Sequence, residues 1–467
     1  MMVPKPASSW ARLITTGLLR RPSHPFHASR STIAPVRFPS SPSCGPFASV
    51  LRERQFCSSS SSGDESEDHL DEFLDFPGAK VGFINKIKFT AERPQEPVPC
   101  FRVLDDHGRL IKDAYMPEVD KPLAIRMYQN MVTLQVMDTL FFEAQRQGRF
   151  SFYLTTFGEE AINIASAAAL NNDDMVYAQY REPGVLMWRG FTLKEFANQC
   201  FSNVADYGKG RQMPVHYGSA KLNYPTVSSP IGTQLPHAVG AAYAFKMDQK
   251  PLCTTTFFGE GASSEGDFHG AMNFAAVLEV PVLFICRNNG FAISTPASEQ
   301  FKSDGVVAKG HAYGMRSIRV DGNDTLAMYA TVKAARKMAV EESRPILIEA
   351  LTYRVGHHST SDDSGKYRKG DEMQHWKTMR DPVLRFRRWL EGEGWWDTDA
   401  EQKLRSDARN EVISALQSAG SQMKQPLTNL FTDVYDTIPR NLIQQEKELR
   451  STVGRHHEDY PSDVPLY

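Results

Sequence analysis

The middle of the chain begins with a helical pattern of apolar residues. Apolar side chains recur at Met127, Met131, Leu134 and Phe141, and the pattern stops at Gly148. This spacing places the apolar side chains on one face of a helix, and a glycine commonly lies just past a helix end. The pattern therefore predicts a long amphipathic helix.

Beyond this helix, short β-type runs alternate with helical segments. The β-type runs lie at 175–180, 253–258, 280–286, 316–320 and 346–353, and helical patterns cover 158–170, 265–279 and 325–342. Alternation of this kind predicts an α/β fold, with a mostly parallel sheet and helices on both faces. In such folds ligands bind at the carboxyl ends of the strands.

Composition divides the chain into four predicted parts. Residues 1–57 are rich in Arg and Ser and have no acidic residue before Glu53, which is typical of a mitochondrial or plastid transit peptide. An unstructured tail is the alternative. The acidic, proline-rich stretch at 58–121 predicts an acidic start and an extended N-terminal arm, and the α/β pattern then occupies 122–385. A charged helical pattern predicts a helical C-terminal tail at 386–467.

The charge balance excludes two classes of partner. The 467 residues include 53 basic and 55 acidic side chains, so nothing resembles the positive excess of a protein that binds nucleic acid or anionic membranes. No apolar run approaches the roughly 18 residues of a membrane span. The six cysteines are scattered without a C-x-x-C pair, which argues against a zinc ribbon or a disulfide framework and favours a reducing compartment. We expect a soluble globular protein.

Two polar residues follow neighbouring buried-type strands. Glu260 lies in "FFGEGASSEGD" and Asn289 in "FICRNNG", and the segment between them predicts one crossover helix, with Ser264 and Asp267 at capping-box spacing. Carboxylate and amide oxygens are hard donors of the kind that magnesium prefers, and phosphate oxygens often complete its shell. The glycines beside Glu260 let the backbone approach a phosphate. The pattern predicts a magnesium-diphosphate cradle.

Two alternatives remain open for these residues. "GEGASSEG" partly matches a dinucleotide-binding fingerprint and would suit a nicotinamide-dependent oxidoreductase, but Ser264 occupies the third glycine position. The next strand ends in Arg287, which would suit a 2′-phosphate better than a ribose hydroxyl. The plainer alternative is a capped turn in an ordinary α/β domain.

Several motifs resemble known families. The paired motifs resemble the thiamine diphosphate signature, Gly-Asp-Gly followed by Asn-Asn, with Glu260 in place of the usual Asp. "FFGEGASSEGD", "FICRNNGFAISTP" and "YRVGHHSTSDDS" resemble the alpha subunits of branched-chain 2-oxo acid dehydrogenases, and the similarity covers about residues 76–455. "GEG" and "GHHS" favour this family over pyruvate dehydrogenase alpha subunits, which typically carry Gly-Asp-Gly and His-Gly-His-Ser. The resemblance implies the thiamine diphosphate-binding fold.

The resemblance also implies residues around the cofactor, a magnesium ion and a structural potassium ion. The implied cofactor-binding residues are Gln179, Tyr180, Arg181, Ser229, Ile231, Gly259, Glu260, Gly261, Ala262, Arg287, Asn289 and His358. The implied metal ligands are Glu260, Asn289 and the Phe291 carbonyl for magnesium, and Ser228, Pro230, Thr233 and Gln234 for potassium. His358 is the implied catalytic residue, and Ser359 matches a possible phosphorylation position.

At three of these places the residues alone allow a plainer interpretation. Arg181 ends a strand, which suits bidentate phosphate binding, but a surface arginine at a helix start is the alternative. "SSPIGTQLP" by itself favours an ordinary helix start, with a proline in the first turn. Adjacent histidines such as His357 and His358 are more often solvated loop residues, although histidine can act as an acid or base near neutrality.

The function implied by the resemblance is oxidative decarboxylation of branched-chain 2-oxo acids, with transfer of the acyl group to a lipoyl-bearing acyltransferase core. A separate beta subunit, in an alpha2-beta2 heterotetramer, would supply the glutamate that activates the cofactor. The implied setting is branched-chain amino acid catabolism in the mitochondrial matrix, with possible regulation by a kinase and a phosphatase. A pyruvate dehydrogenase alpha subunit and a non-catalytic α/β binding subunit are the alternatives.

Overall fold

The computed structural model describes part of the N-terminal region and nearly all of the rest. The described residues are 73–76, 79–82, 87, 89 and 96–466. The predicted transit peptide at 1–57 and the acidic start that follows it lie outside the described residues. The chain divides into two compact units, residues 1–88 and 89–467.

The described part of the first unit includes a short hairpin. Strands β1 (Phe73–Phe76) and β2 (Ala79–Gly82) pair antiparallel. The hairpin lies within the stretch at 58–121, where an acidic start and an extended N-terminal arm were predicted.

The second unit is built on a parallel sheet of six strands. Its strands are β3 (Cys100–Phe101), β4 (Met175–Tyr177), β5 (Thr254–Gly259), β6 (Val282–Asn288), β9 (Arg316–Asp321) and β10 (Ile346–Leu351), in the order β3-β9-β10-β6-β5-β4. A small antiparallel ribbon joins β7 (Phe291–Ala292) to β8 (Thr295–Pro296). The parallel pairing confirms the predicted fold class.

Helices separate and flank these strands. In the first half they are α1 (Lys121–Arg146), α2 (Glu160–Ala169), α3 (Pro183–Trp188), α4 (Leu193–Phe201), α5 (Gln234–Met247), α6 (Gly266–Leu278) and α7 (Ala297–Gln300). In the second half they are α8 (Val307–Ala312), α9 (Thr325–Glu342), α10 (Gly370–Met379), α11 (Pro382–Gly392), α12 (Thr398–Gly420), α13 (Asn429–Thr432) and α14 (Arg440–Arg455). Within the described residues, no helix has the length and apolar character needed to span a bilayer.

The sheet is buried on both faces, as the uninterrupted apolar strands predicted. Along β6, Ile285 packs in the larger apolar cluster with α2 and α9, whereas Phe284 and Cys286 pack in a second cluster with α5 and α6. Successive side chains of a strand point to opposite faces, so the two clusters lie on opposite sides of the sheet. Helices therefore cover both faces.

The parts on either side of the α/β pattern are joined to it. In the predicted arm, the backbone N–H groups of Val103 and Leu104 donate to Asp324 Oδ2 at the start of α9, at 2.7 and 2.6 Å. In the C-terminal part, which is helical as predicted, Glu401 of α12 accepts a 2.8 Å hydrogen bond from Tyr128 Oη of α1. The tail thus completes the core, which the sequence did not predict.

Two local predictions were wrong in detail. The capping box of Ser264 and Asp267 does not form, because residues 260–264 make a 3₁₀ turn and α6 starts at Gly266 without a side-chain cap. Strand β6 also continues two residues beyond the predicted end and includes Arg287 and Asn288. Hydrogen bonding to β5 and β10 extends the strand past its apolar run.

Candidate active site

The carboxyl ends of the central strands surround a cavity of about 320 Å³. It is lined by Gln179, Tyr180, Arg181, Ser229, Ile231, Gly259, Glu260, Gly261, Ala262, Arg287, Asn289, Phe291, Ala292, Ile293, Arg354 and His358. All the predicted cofactor-binding residues and the predicted magnesium ligands are therefore brought together. The predicted potassium ligands Ser228, Pro230, Thr233 and Gln234 do not line this cavity.

Strand register explains why Glu260 and Asn289 meet. Gly259 pairs with Arg287 across β5 and β6, so the residues that follow both strands emerge at the same edge. The backbone N–H of Asn289 donates to Glu260 Oε2 at 3.4 Å. The structure thus brings together the two residues that the strand ends predicted.

Glu260 has an oxygen with no hydrogen-bond partner among the described residues. Its side chain is buried, and no hydrogen bond reaches Oε1 from the residues that the structure describes. Burial raises the pKa of this carboxyl above its usual range. A buried carboxylate oxygen is costly unless it is paired, so the site fits a cation placed against Oε1.

Under this edge, Arg287 lies between two buried glutamates. Its Nη1 donates to Glu159 Oε2 at 2.6 Å, and its Nε contacts Glu182 Oε1. Arg287 lowers the pKa of the Glu159 carboxyl below its usual value against the opposing effect of burial, which raises it. For Glu182 burial prevails, and the pKa is raised. Arg287 thus neutralises two carboxylates beneath the cavity that it also lines.

These glutamates reach the cavity wall on both sides. Glu159 Oε1 accepts a 3.0 Å hydrogen bond from Asn289 Nδ2, and Glu182 Oε2 accepts a 2.8 Å bond from the Gln179 backbone N–H. A continuous buried network therefore connects Gln179, Glu182, Arg287, Glu159 and Asn289. Its members are all supplied by strand ends or helix starts.

His358 is held by Arg181 at the other wall. Arg181 Nη2 lies 3.3 Å from His358 Nδ1 and also donates to the His358 carbonyl, while its Nη1 donates to the Thr155 carbonyl at 2.6 Å. Burial, followed by the positive charges of Arg181 and Arg354, lowers the pKa of His358 to about 3. A guanidinium can only donate, so Nδ1 accepts and the neutral imidazole carries its proton on Nε2.

The loop around this histidine is ordered by side-chain hydrogen bonds. Asp362 Oδ2 accepts from the His358 backbone N–H at 2.7 Å and from Tyr367 Oη at 2.6 Å. The interpretation of His358 as a solvated loop residue is therefore wrong, although His357 is exposed. Ser359 is buried, and its hydroxyl accepts a 3.2 Å bond from the Ser361 backbone N–H.

The predicted potassium ligands lie beside the cavity. Thr233 Oγ1 lies 3.1 Å from Ser228 Oγ and 3.0 Å from the Pro230 carbonyl oxygen, at hydrogen-bonding distance from both. Three oxygens therefore lie together. Gln234 instead uses its amide nitrogen to hold the Phe257 carbonyl at 2.9 Å. Helix α5 begins within this stretch, at Gln234, after Pro230.

Sequence reasoning missed three charged residues of the site: Glu159, Glu182 and Arg354. Arg354 lines the cavity and donates to the Ile293 carbonyl at 3.0 Å. The two glutamates could have been found only from their place in the chain, because each directly precedes a helix that follows a strand or an extended segment. An acidic residue there usually caps a helix in solvent, so it does not stand out.

This arrangement defines an α/β protein with a cavity of charged and polar residues at the carboxyl edge of a parallel sheet, the place where such folds bind ligands. The family profile described as "Dehydrogenase E1 component" matches residues 128–428. The chain belongs to this family, which depends on thiamine diphosphate.

Individual relatives extend the similarity over most of the chain. It is 61% identical over 424 residues to mitochondrial 2-oxoisovalerate dehydrogenase subunit alpha 1 of Arabidopsis thaliana, covering 89% of each chain. The mitochondrial 2-oxoisovalerate dehydrogenase subunit alpha of Dictyostelium discoideum is 52% identical over 79% of this chain and 83% of its own. The corresponding subunit of Homo sapiens is 48% identical over 84% of this chain and 88% of its own. These matches confirm the resemblance carried by the Gly-Glu-Gly and "GHHS" motifs.

Proposed function

We propose that this chain is the alpha subunit of a mitochondrial 3-methyl-2-oxobutanoate dehydrogenase (2-methylpropanoyl-transferring). It oxidatively decarboxylates branched-chain 2-oxo acids in branched-chain amino acid catabolism and passes the acyl group to a lipoyl carrier. The observation that carries this proposal is the cavity that unites Arg181, Glu260, Asn289 and His358 in a chain of this family. A non-catalytic binding subunit has no need for all four.

The cavity suits thiamine diphosphate with magnesium. Glu260 Oε1, the Asn289 side-chain oxygen and the Phe291 carbonyl supply hard oxygen ligands, and the cofactor's phosphates would supply others. Arg181 also lines the cavity and offers donors to the diphosphate. The unpartnered Oε1 of Glu260 supports this assignment.

A potassium ion beside the cavity is the second proposed ion. The Ser228 hydroxyl, the Pro230 carbonyl and the Thr233 hydroxyl already lie together, and the oxygen of the Gln234 amide is the fourth proposed ligand. Hydroxyl, carbonyl and amide oxygens suit a hard cation. The ion would join the loop that carries Ser229 and Ile231 to the start of α5.

His358 is the proposed catalytic residue. Bound thiamine diphosphate supplies a nucleophilic carbon and an electron sink for decarboxylation. Because its Nδ1 is occupied by Arg181, the neutral His358 ring offers an Nε2 proton to an oxygen in the cavity. The hydrogen bond also keeps the ring in one orientation, and Tyr180 packs edge-on at 6.0 Å between ring centroids.

The proposed partners complete the enzyme. A beta subunit would close the site in an alpha2-beta2 heterotetramer and provide the glutamate that activates the cofactor, and a lipoyl-bearing acyltransferase core would receive the acyl group. A kinase and a phosphatase acting on Ser359 stay a prediction. Since Ser359 is buried, a kinase would need to open the loop, and a phosphate there would place charge beside His358.

Calorimetric binding of thiamine diphosphate with magnesium tests this function. The chain is co-expressed with a matching beta subunit, beside Glu260→Ala and the exposed control Glu341→Ala. We expect binding in the wild type and the control but none in Glu260→Ala. No binding by a properly assembled wild-type complex would instead support the non-catalytic binding subunit.

Turnover then identifies the substrate. The assembled wild-type complex is given 3-methyl-2-oxobutanoate and pyruvate separately. We expect the branched-chain acid to be preferred, as the names of the relatives suggest. A preference for pyruvate would favour the pyruvate dehydrogenase alternative.

A further inference from the structure

The side-chain amide of Asn289 has one possible orientation in this structure. Its Nδ2 donates to Glu159 Oε1 at 3.0 Å, and its Oδ1 accepts from the Phe291 backbone N–H at 3.2 Å. Asn289 is 7% exposed and Glu159 is fully buried. The amide oxygen is therefore directed away from Glu159.

Glu159 is itself held in place by two further hydrogen bonds. Its other oxygen accepts from Arg287 Nη1 at 2.6 Å, and its backbone N–H donates to the Thr156 carbonyl at 2.8 Å where α2 begins. The Phe291 backbone N–H can only donate, so the oxygen of the Asn289 amide faces Phe291 and its NH₂ group faces Glu159. The orientation follows from this chemistry.

We propose that Glu159 is a positioning residue that directs the side-chain oxygen of Asn289 toward the metal. The inference rests on the magnesium site in the proposed function. An amide nitrogen has no lone pair available for a metal, so a flipped Asn289 would lose one ligand. Glu159 therefore acts on metal binding without touching the ion.

The neighbouring glutamate provides a matched control. Glu159 and Glu182 both contact Arg287 and both are buried, but only Glu159 bonds to Asn289. Glu159→Gln and Glu182→Gln thus remove the same charge from the same arginine. Only Glu159→Gln introduces an NH₂ group that can turn the Asn289 amide over.

The measurement is calorimetric magnesium affinity of the alpha-beta complex saturated with thiamine diphosphate. Loss of a residue that orients a metal ligand typically lowers metal affinity about 10- to 100-fold, and we expect this in Glu159→Gln. Glu182→Gln should lose clearly less. Equal losses in the two variants would overturn the inference, since charge alone would then explain them.

A rescue experiment separates orientation from general damage. In Asn289→Asp both side-chain oxygens can bind metal, but the introduced carboxylate faces Glu159. Adding Glu159→Gln supplies a donor to that carboxylate, so the double variant should bind magnesium more tightly than either single variant. If Glu159→Gln alone does not assemble, the comparison of Asn289→Asp with the double variant still tests the inference. A double variant that binds magnesium no more tightly than Asn289→Asp contradicts the inference.

Manganese in place of magnesium gives a spectroscopic readout. Water-proton relaxation should detect one more metal-bound water in Glu159→Gln than in the wild type, because the amide oxygen has left the shell. An unchanged water count would contradict the inference even if affinity fell. If the wild-type complex binds no metal at all, the proposed function fails, and that outcome is distinct from a wild type that binds while the variants do not differ.

Discussion

Removing the positive charge of Arg287 tests the buried ion network most directly. Arg287→Met keeps a long side chain but leaves Glu159 and Glu182 without their shared cation. The three side chains are at most 2% exposed. Breaking a buried pair by removing one partner costs about 3–5 kcal/mol, because the remaining charge stays buried.

The structure favours the lower end of this range. Each carboxylate keeps one donor, the Asn289 Nδ2 group for Glu159 and the Gln179 backbone N–H for Glu182. We therefore expect the free energy of unfolding to fall by about 3 kcal/mol, roughly a hundredfold in the equilibrium constant.

Urea unfolding of the cofactor-free complex measures this loss. Arg316→Met is the control, because Arg316 and Glu342 form an exposed pair, and such pairs contribute about 0–1 kcal/mol. Without Arg287, burial raises the pKa of both carboxyls in the folded state above the pKa in the unfolded chain. The folded state then binds protons more tightly than the unfolded state. The variant should regain stability as the pH falls from 8 toward 5. A loss equal to that of Arg316→Met and independent of pH would refute the reasoning.

Two further predictions concern the loop that carries His358. The pKa of His358 is lowered to about 3, which keeps the ring neutral above pH 5. The pH profile of kcat/KM should therefore show no inflection near the ordinary histidine pKa of about 6.5. An inflection there that disappears in His358→Gln would contradict this prediction. The stabilisation associated with the neutral ring is complete above pH 6.5 and declines as the pH falls toward 3. Gly158 has φ +92°, and a Cβ there would overlap the Tyr353 carbonyl, so Gly158→Ala should displace the loop and reduce turnover by about 100-fold. A Cβ at Gly392 would meet open space, so the control Gly392→Ala should leave turnover unchanged. Equal turnover in both variants would contradict the prediction, since the loop would then tolerate the methyl group at Gly158.

Local patterns were sufficient for the architecture. The alternation of buried-type strands and helices predicted the parallel sheet, and the helical pattern at 325–342 became α9 with the same bounds. They also predicted that Glu260 and Asn289 meet, because parallel strands end at one edge. Ser229, Ile231 and His358 entered through family resemblance, since nothing local distinguishes them from ordinary loop residues.

Tertiary structure alone decided the network beneath the site. Glu159 and Arg287 are 128 positions apart, and only the packing of α2 against the sheet places that carboxylate between Arg287 and Asn289. The same holds for His358, whose proton position depends on Arg181, 177 positions away. Sequence periodicity reports which face of an element is buried, but hydrogen-bond partners and pKa depend on distances between elements. The sequence by itself thus determined the elements and the edge at which the ligands meet, whereas the fold decided their orientation and charge.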